Sequence, residues 1–282
     1  MNSYKDHVLY RKHTLDSAME SLWTFYKTNF APLFIISFLF TTIVTFLSIN
    51  IDTEKMIEAA SSQDMEAWKT VMREIALSSV PAMLVSLLSL SYISLYILNG
   101  SHGSYDYVKM FGRSFVYFLT FTIIMILFVP VAAIAVVAGI LALIIGVIFS
   151  AIWLTALAAF FMPLLMAEGN NITNAIARSF KLMHRHFGSN LGWTAVVLVI
   201  ILIISLVISG LSLIPFAGSF LKTMSNPEEA AHLIDMAKNP IYIIFSSALN
   251  ALVMPVLPIF GFILYFNAKA WEDDSLNNDV IT

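Results

Sequence analysis

The sequence lacks cysteine and is poor in charged residues, and both deficits narrow the class of protein. Without cysteine the chain has no disulfide, no thiolate metal ligand and no cysteine nucleophile. Charged residues make up 12% of the 282 residues and apolar residues 59%, whereas a soluble domain is about 25% charged and about 45 to 50% apolar. With a mean hydropathy of +0.83, this composition predicts a polypeptide surrounded by lipid. A net charge of -3 is too small to indicate a nucleic-acid partner.

Motifs that mark catalysis or cofactor binding are also missing from the sequence. It contains no HExxH, GxSxG, P-loop or GxGxxG pattern. His184 and His186 lie close in sequence, but a spacing of two places them on different faces of a helix, so they cannot chelate a metal as an i, i+4 pair does. We therefore expect no enzymatic activity, no cofactor and no metal site.

A long stretch without charge organises the chain. No Asp, Glu, Lys or Arg occurs between Arg113 and Glu168, and the 54 residues between them exceed the roughly 20 that cross a bilayer once. We predict two antiparallel spans there that turn near Val137, Ala138 and Gly139. Hydropathy predicts four more spans, so the expected fold class is all-α, a polytopic membrane helical bundle with six transmembrane helices. The predicted spans are 30–49, 75–98, 115–136, 140–166, 191–214 and 241–266.

The distribution of basic residues orients these spans. Ten of the 15 Lys and Arg residues lie on the side that holds both termini and the connections after spans two and four. Because basic residues are retained on the cytoplasmic side, we predict that the N-terminus and the C-terminus are cytoplasmic. The first 12 residues are polar, and we expect them to be loosely held.

An amphipathic segment precedes the first span. Apolar residues recur at helical spacing over 14–29, and we place Trp23 on an aromatic face opposite Asp16, Glu20 and Lys27. Such a helix suits the bilayer interface, so we expect Trp23 and Lys27 to contact the membrane surface. Packing on the protein's own cytoplasmic side explains the same pattern equally well.

A second amphipathic segment, 171–187, carries a basic face. Arg178, Lys181 and Arg185 follow one another at i, i+3 and i+7 and so share one side of a helix. Near an anionic leaflet each base contributes about 1 kcal/mol, and we expect the three to hold this helix at the membrane. The same residues contribute to ordinary positive-inside topology. For Glu168, at the end of span four, we expect a local ion pair beside Arg178 and Lys181.

The two amphipathic segments also resemble each other in sequence. Residues 16–30 align with 173–187, and 104–115 forms a shorter, poorer copy. Each copy precedes an odd-numbered span, which indicates three tandem units of an interfacial helix and a transmembrane hairpin, although convergence on similar interfacial needs could produce the same pattern. The matched pairs are Ala18 with Ala175, Met19 with Ile176, Trp23 with Phe180 and Phe30 with Phe187. The single integral membrane domain, 1–282, then divides into units 14–99, 100–166 and 167–266 and an acidic tail, 267–282.

Two stretches, together with the six spans, carry a resemblance to a known family. They are Lys27-Thr-Asn-Phe30, which ends the first amphipathic helix, and Ala175-x-x-Arg178-Ser179-Phe180 after span four. The chain resembles an uncharacterised group of bacterial integral membrane proteins allied to the membrane domain that precedes some glycerophosphodiester phosphodiesterases. The resemblance implies a helical bundle in the bacterial cytoplasmic (inner) membrane. It implies no activity, because catalysis in that architecture belongs to a separate soluble domain.

Polar features within and between the spans are few. Asn250 precedes Pro255 and Pro258 in span six, and prolines free backbone carbonyls that must find partners. This group is a candidate intramembrane polar site, and a kink closed by an interhelical hydrogen bond is the simpler explanation. Between spans five and six, Asn226-Pro227 and Asn239-Pro240 are the start and stop signals of a small outer helix.

These observations favour a non-enzymatic integral membrane protein that organises lipids or serves as a subunit of a membrane complex. The expected partners are membrane lipids and a further membrane protein. The alternative function is a transporter or lipid-translocating protein that uses a groove between the helix repeats, as Asn250 would permit.

Overall fold

A computed structural model of the protein describes residues 4–48, 65–99, 106–214 and 239–279. All regular secondary structure in these residues is helical, which confirms the predicted all-α class. A short 3-10 turn, Tyr4–Asp6, precedes ten α-helices: α1 (Leu15–Thr28), α2 (Phe30–Ser48), α3 (Met65–Asn99), α4 (Tyr107–Leu141), α5 (Leu143–Ala159), α6 (Phe161–Ala167), α7 (Ile172–Arg185), α8 (Phe187–Leu213), α9 (Pro240–Val253) and α10 (Val256–Asp279).

Six stretches of helix in these residues are long and apolar enough to cross a membrane, as predicted. Four are the single helices α2, α3, α4 and α8. The other two are broken helices, because α5 with α6 forms the fourth span and α9 with α10 the sixth. The chain is therefore an all-α polytopic membrane protein. The six ranges are Phe30–Ser48, Met65–Asn99, Tyr107–Leu141, Ile145–Ala167, Phe187–Ser212 and Pro240–Ser275.

The chain forms two compact units. The first comprises Met1–Leu33, Leu90–Leu202 and Pro255–Thr282, and the second comprises Phe34–Ser89 and Ile203–Met254. Aromatic side chains from the α5–α6 region and from α10 fill the core of the first unit, and each is at most 1% exposed. They are Phe160, Phe161, Phe260, Phe262, Tyr265 and Phe266.

Small polar side chains pack helices against each other in the second unit. The Thr41 hydroxyl on α2 can donate its one proton either to the Ser37 carbonyl of its own helix, 2.8 Å away, or to the Ser247 carbonyl on α9, 3.0 Å away. The Ser247 hydroxyl lies 3.2 Å from the Thr45 hydroxyl. The hydroxyl groups of Thr41 and Ser247 are thus satisfied by backbone and by a neighbouring helix, as an apolar solvent requires, whereas the buried Ser37 hydroxyl on α2 has no partner in the part of the chain that the structure describes.

Helices α1 and α7 share several features that match the proposed sequence repeat. Each has 14 residues and is followed, after a single residue, by a membrane-spanning helix. The aligned residues Ala18 and Ala175 are both buried. Each helix also begins with a side-chain cap, Thr14 in α1 and Asn171 in α7, which satisfies a free N–H of the first turn.

The expected third interfacial helix is not a separate element. The stretch 104–115 contributes Asp106, which caps an N-terminus, and the first turns of the 35-residue helix α4. The helix has no break after these residues, and it continues directly into the third span. In the described residues the structure therefore shows two short amphipathic helices before spans, α1 and α7, where three were predicted; their place at the membrane interface remains a prediction.

The turn between α4 and α5 also lies later than predicted. It occurs at Ala142, where α4 ends and α5 begins, and Leu143 has a φ of +63°. Gly139, expected in the turn, lies within α4, where a Cβ atom would come 2.7 Å from the Ser150 hydroxyl and 2.8 Å from the Gly146 carbonyl oxygen. Gly139 therefore allows close packing of the hairpin rather than the reversal of the chain.

The predicted outer helix between spans five and six, 226–239, lies outside the described residues except for its final residue. Asn239 caps the start of α9, where its side chain accepts a hydrogen bond from the Ile241 N–H at 2.9 Å. Pro240 occupies the first position of that helix, where its missing N–H costs nothing. The Asn-Pro signal thus marks the beginning of the sixth span.

A glycine on α10 allows that helix to approach the break between α5 and α6 closely. Pro163 has no N–H to bond the Ala159 carbonyl, and α5 ends at Ala159. Gly261 is buried beside this carbonyl, and a Cβ atom on it would lie only 2.6 Å from the oxygen. The contact places α10 against the interrupted fourth span.

We expect Gly261→Ala to lower the stability of the protein by about 1 to 3 kcal/mol, the usual cost of inserting a methyl group into a close-packed site. The measurement is the midpoint of thermal unfolding in mild detergent. Gly112→Ala is the matched control, because Gly112 lies in α4 and a methyl group added there would meet no neighbouring atom within 4 Å; it should be neutral or stabilising by up to about 1 kcal/mol. Equal stability of Gly261→Ala and the wild type would contradict the close contact.

Candidate functional site

One arginine joins three elements of the first unit. Arg178 on α7 faces Glu168, which follows α6, and Glu272 on α10. Its Nε and Nη2 atoms lie 3.0 and 3.1 Å from the two carboxylate oxygens of Glu168. Its Nη1 and Nη2 atoms lie 3.0 and 2.8 Å from those of Glu272. Both carboxylates are therefore bound in the paired geometry that makes charge-assisted hydrogen bonds strongest.

Partial burial strengthens these ion pairs. The side chains of Arg178, Glu168 and Glu272 are only 18%, 16% and 15% exposed, so solvent screens their attraction little. Because the Arg178 guanidinium donates hydrogen bonds to the Glu272 and Glu168 carboxylates, its pKa is raised. Lys269 supplies a second cation, with Nζ 3.1 Å from Glu272 and 3.8 Å from Glu168. We call these four residues the Arg178 cluster.

The predicted basic face of α7 divides between two environments. Arg178 points into the protein, and Arg185 also lies near Glu272 at 3.9 Å, with Nη2 3.3 Å from the Ser275 hydroxyl. Lys181 is exposed. The predicted ion pair of Glu168 with Arg178 is present, whereas contact of these bases with lipid remains a prediction.

The partner that the sequence did not reveal is Glu272. It lies in the stretch 267–282, which we expected to be an acidic tail, but α10 continues to Asp279 and brings the acids back to bases of the same unit. The available signal was the i, i+3 spacing of Lys269 and Glu272, which indicates a continuing helix. Nothing in the local sequence identifies Arg178, 94 residues away, as the partner of Glu272.

The N-terminal residues are bound, contrary to the expectation that they are loosely held. Residues Tyr4–His13 form what we call the N-terminal strap. The His7 Nε2 atom lies 2.9 Å from the Ile97 carbonyl in the last turn of α3, and the His13 N–H donates to the Asn267 side chain of α10 at 2.8 Å. His7 and His13 are both buried. The strap thus satisfies a free carbonyl in the last turn of α3 and a side-chain amide in the middle of α10.

Charged and phenolic groups fix the strap further. Lys5 pairs with Asp273 at 3.1 Å, and the Tyr10 hydroxyl donates to the same carboxylate at 2.7 Å. Lys12 pairs with Asp274. Burial and the hydrogen bond to Asp273 raise the pKa of Tyr10, so its hydroxyl keeps its proton and remains a donor. The polar composition that suggested a loose end therefore supplies specific contacts to α10.

Helix α1 turns its aromatic residues to both sides, which corrects the predicted arrangement of its faces. Phe25 and Tyr26 are buried, but Trp23 is 55% exposed on the side that carries the charges. The Lys27 Nζ atom lies 5.5 Å from the centre of the Trp23 ring, within cation–π range. On a helical projection Trp23 lies at the border between the buried face and the polar face of α1. The periodicity of apolar residues alone therefore could not show which face it joins.

The residues of the candidate polar site in span six belong to different helices: Asn250 lies on α9, before the break, and Pro258 lies on α10, after it. Asn250 on α9 is exposed, and its side-chain N–H donates to the Ser246 carbonyl of its own helix at 2.9 Å. It therefore does not form the predicted interhelical bond in the structure. Pro255 lies between α9 and α10, and Pro258 lies in the first turn of α10; both are buried. The prolines account for the interruption of this span.

Comparisons of the chain with family models, with curated proteins and with solved structures found no match. The resemblance to the membrane domain that precedes some glycerophosphodiester phosphodiesterases therefore remains a prediction.

We expect Arg178→Ala to destabilise the protein by about 2 to 3 kcal/mol, at or below the lower end of the range for breaking a buried ion pair, because the cluster is only partly buried and the two carboxylates keep Lys269 as a shared cation. Unfolding in mild detergent measures the effect. The exposed residue on the same helix provides the control, and Lys181→Ala should change stability by less than about 0.5 kcal/mol. Adding Glu168→Gln to Arg178→Ala should recover part of the loss. Equal effects of Arg178→Ala and Lys181→Ala would contradict the role of the cluster.

Proposed function

We propose that the chain is a non-enzymatic integral membrane protein that organises lipids at the membrane face carrying its two termini. In this proposal both termini are cytoplasmic and the membrane is the bacterial cytoplasmic (inner) membrane. The resemblance to bacterial six-span proteins and the distribution of basic residues support that location.

The observation that carries the proposal is the exposed side of α1. Asn29 is the only residue between α1 and the spanning helix α2, so α1 lies at the membrane entry point. There Trp23 is exposed, stacks on Tyr26 with ring centres 5.9 Å apart, and has the Lys27 ammonium beside it. An amphipathic aromatic ring next to a lysine suits the headgroup region of a bilayer.

The ion pairs of the Arg178 cluster favour a structural role over proton or ion transport. Glu168 and Glu272 are both held by Arg178 and Lys269. Proton and ion pathways usually depend on ionisable groups inside the membrane region, whereas Glu168 follows the end of α6 and Glu272 is held in ion pairs near the end of α10. The fixed cluster therefore supports a structural role at the interface.

A large apolar surface on the α4–α5 hairpin supports contact with lipid. Long stretches of this hairpin remain exposed, which is the expected surface of a helix surrounded by acyl chains. A membrane protein partner would cover the same surface, and this is the second candidate function. Four large side chains near its turn are each at least 71% exposed: Ile134, Leu141, Leu143 and Ile145.

Because the chain has no cysteine, a single introduced cysteine can be labelled specifically. We expect a spin label at Trp23→Cys in proteoliposomes to collide more with oxygen than with a water-soluble nickel complex, since it would lie in the headgroup and acyl boundary. Asn170→Cys is the control, because Asn170 is exposed in the turn between α6 and α7, and its label should show the opposite preference. A water-exposed label at position 23 would overturn the interfacial placement of α1.

Purification from native membranes in mild detergent separates the two candidate functions. We expect mass spectrometry to show enriched lipid and no stoichiometric protein. A partner at a constant ratio would instead assign the chain to a membrane complex and would overturn the lipid-organising function. The transporter alternative has less support, because Asn250 bonds to its own helix.

A further inference from the structure

An open groove lies between the N-terminal strap and α1. Its volume is about 430 Å³, which falls within the usual size of sites for small organic ligands. Val8 and Leu9 of the strap form an apolar wall, and Arg11 adds a guanidinium at the same side. The opposite wall is a surface of α1 that carries hydroxyl, amide and carboxylate groups.

The groove follows the axis of α1 towards the start of the spanning helix α2. Glu20, Thr24 and Thr28 line it at successive i, i+4 positions, so they form one row that is about 12 Å long. Asn29 lines the same end as Thr28, and the next residue, Phe30, begins the spanning helix α2. A ligand in this groove would have one end at the entry of a membrane span.

The far end of the groove contains both signs of charge. The Arg11 guanidinium donates to the Ser21 hydroxyl at 2.6 Å, which uses one of its five N–H donors. The neighbouring residue, Glu20, is part of the groove lining and remains accessible to a ligand. A guanidinium suits a phosphate group, and a carboxylate suits an ammonium that can donate hydrogen bonds. One ligand would therefore have to carry these two groups a short distance apart.

We propose that this groove binds the phosphoethanolamine headgroup of an ethanolamine phospholipid. Arg11 binds the phosphate, Glu20 accepts hydrogen bonds from the ammonium, and the hydroxyls of Thr24 and Thr28 bond the ester region. The acyl chains leave the groove beside Phe30 and enter the membrane along α2. This assignment depends on the proposed function, because that function places α1 at the interface.

The charges of the groove distinguish between lipid classes. A glycerol headgroup offers no cation to Glu20 and leaves its carboxylate beside an anionic phosphate. A choline headgroup has a cation without N–H donors, so it cannot hydrogen-bond the Glu20 carboxylate. Soluble phosphoethanolamine has the matching charges but no acyl chains. The apolar wall at Val8 and Leu9 therefore favours the lipid over the soluble compound.

The test measures lipids bound to the full chain by native mass spectrometry after exposure to vesicles of ethanolamine, glycerol or choline phospholipid. We expect the wild type to prefer the ethanolamine lipid. Arg11→Gln should weaken its binding at least about tenfold, because a charge-assisted bond to phosphate is lost. Glu20→Gln should remove the preference for ethanolamine over glycerol lipid. The matched controls, Arg113→Gln and Asp16→Asn, change the same charges outside the groove and should leave the preference unchanged.

Several outcomes would overturn the proposal. They are equal binding of the three lipid classes by the wild type, unchanged ethanolamine-lipid binding by Arg11→Gln, and equal losses in the control variants. Binding of soluble phosphoethanolamine as tight as that of the ethanolamine lipid would assign the groove to the soluble compound instead. If the label at position 23 lies in lipid while any of these results is obtained, the groove assignment fails and the interfacial placement of α1 stands. A water-exposed label would mean that the proposed function itself has failed.

Discussion

The first unit depends on one guanidinium that holds two carboxylates at once. Arg178 binds Glu168 and Glu272 through four N–H···O contacts of suitable geometry, and removing it would leave two partly buried negative charges close together. Lys269 would then be the cation that both carboxylates share, and the weaker pairing of partly buried charges costs free energy. The cluster therefore holds the end of α6, helix α7 and the last turns of α10 together. The strap in turn bonds to acids and amides of α10.

The bases of α7 and the exposed residues of α1 have different contacts within the protein. Arg178 on α7 forms ion pairs with two acids of the same unit, whereas Trp23 on α1 is exposed. A helix bound by ion pairs needs no lipid to stay in place. A helix with an exposed tryptophan and a lysine beside it gains from an interface. The two copies of the proposed repeat thus have similar form and different contacts.

Hydropathy and helical period predicted the parts of the fold that depend on local sequence. The six spans and the helices α1 and α7 follow from stretches of about 14 to 20 residues whose pattern is visible without tertiary contacts. The strap and Glu272 could not be predicted in this way, because their partners lie far away in the chain, as Asn267 does from His13. The prediction of a turn at Gly139 was wrong because glycine occurs both in turns and where helices pack closely. Its role in packing becomes visible only from its neighbours in the structure, Gly146 and Ser150.

Hydrogen exchange at the N-terminal strap tests most directly whether the Arg178 cluster organises this end of the protein. The N–H groups of Leu9, Tyr10 and His13 all donate hydrogen bonds, so they should exchange slowly in the wild type. In Arg178→Ala they should exchange much faster, because α10 loses its fixed position, whereas Lys181→Ala should leave them protected. Fast exchange of these amides in the wild type, or equal protection in Arg178→Ala, would contradict the central role of the cluster.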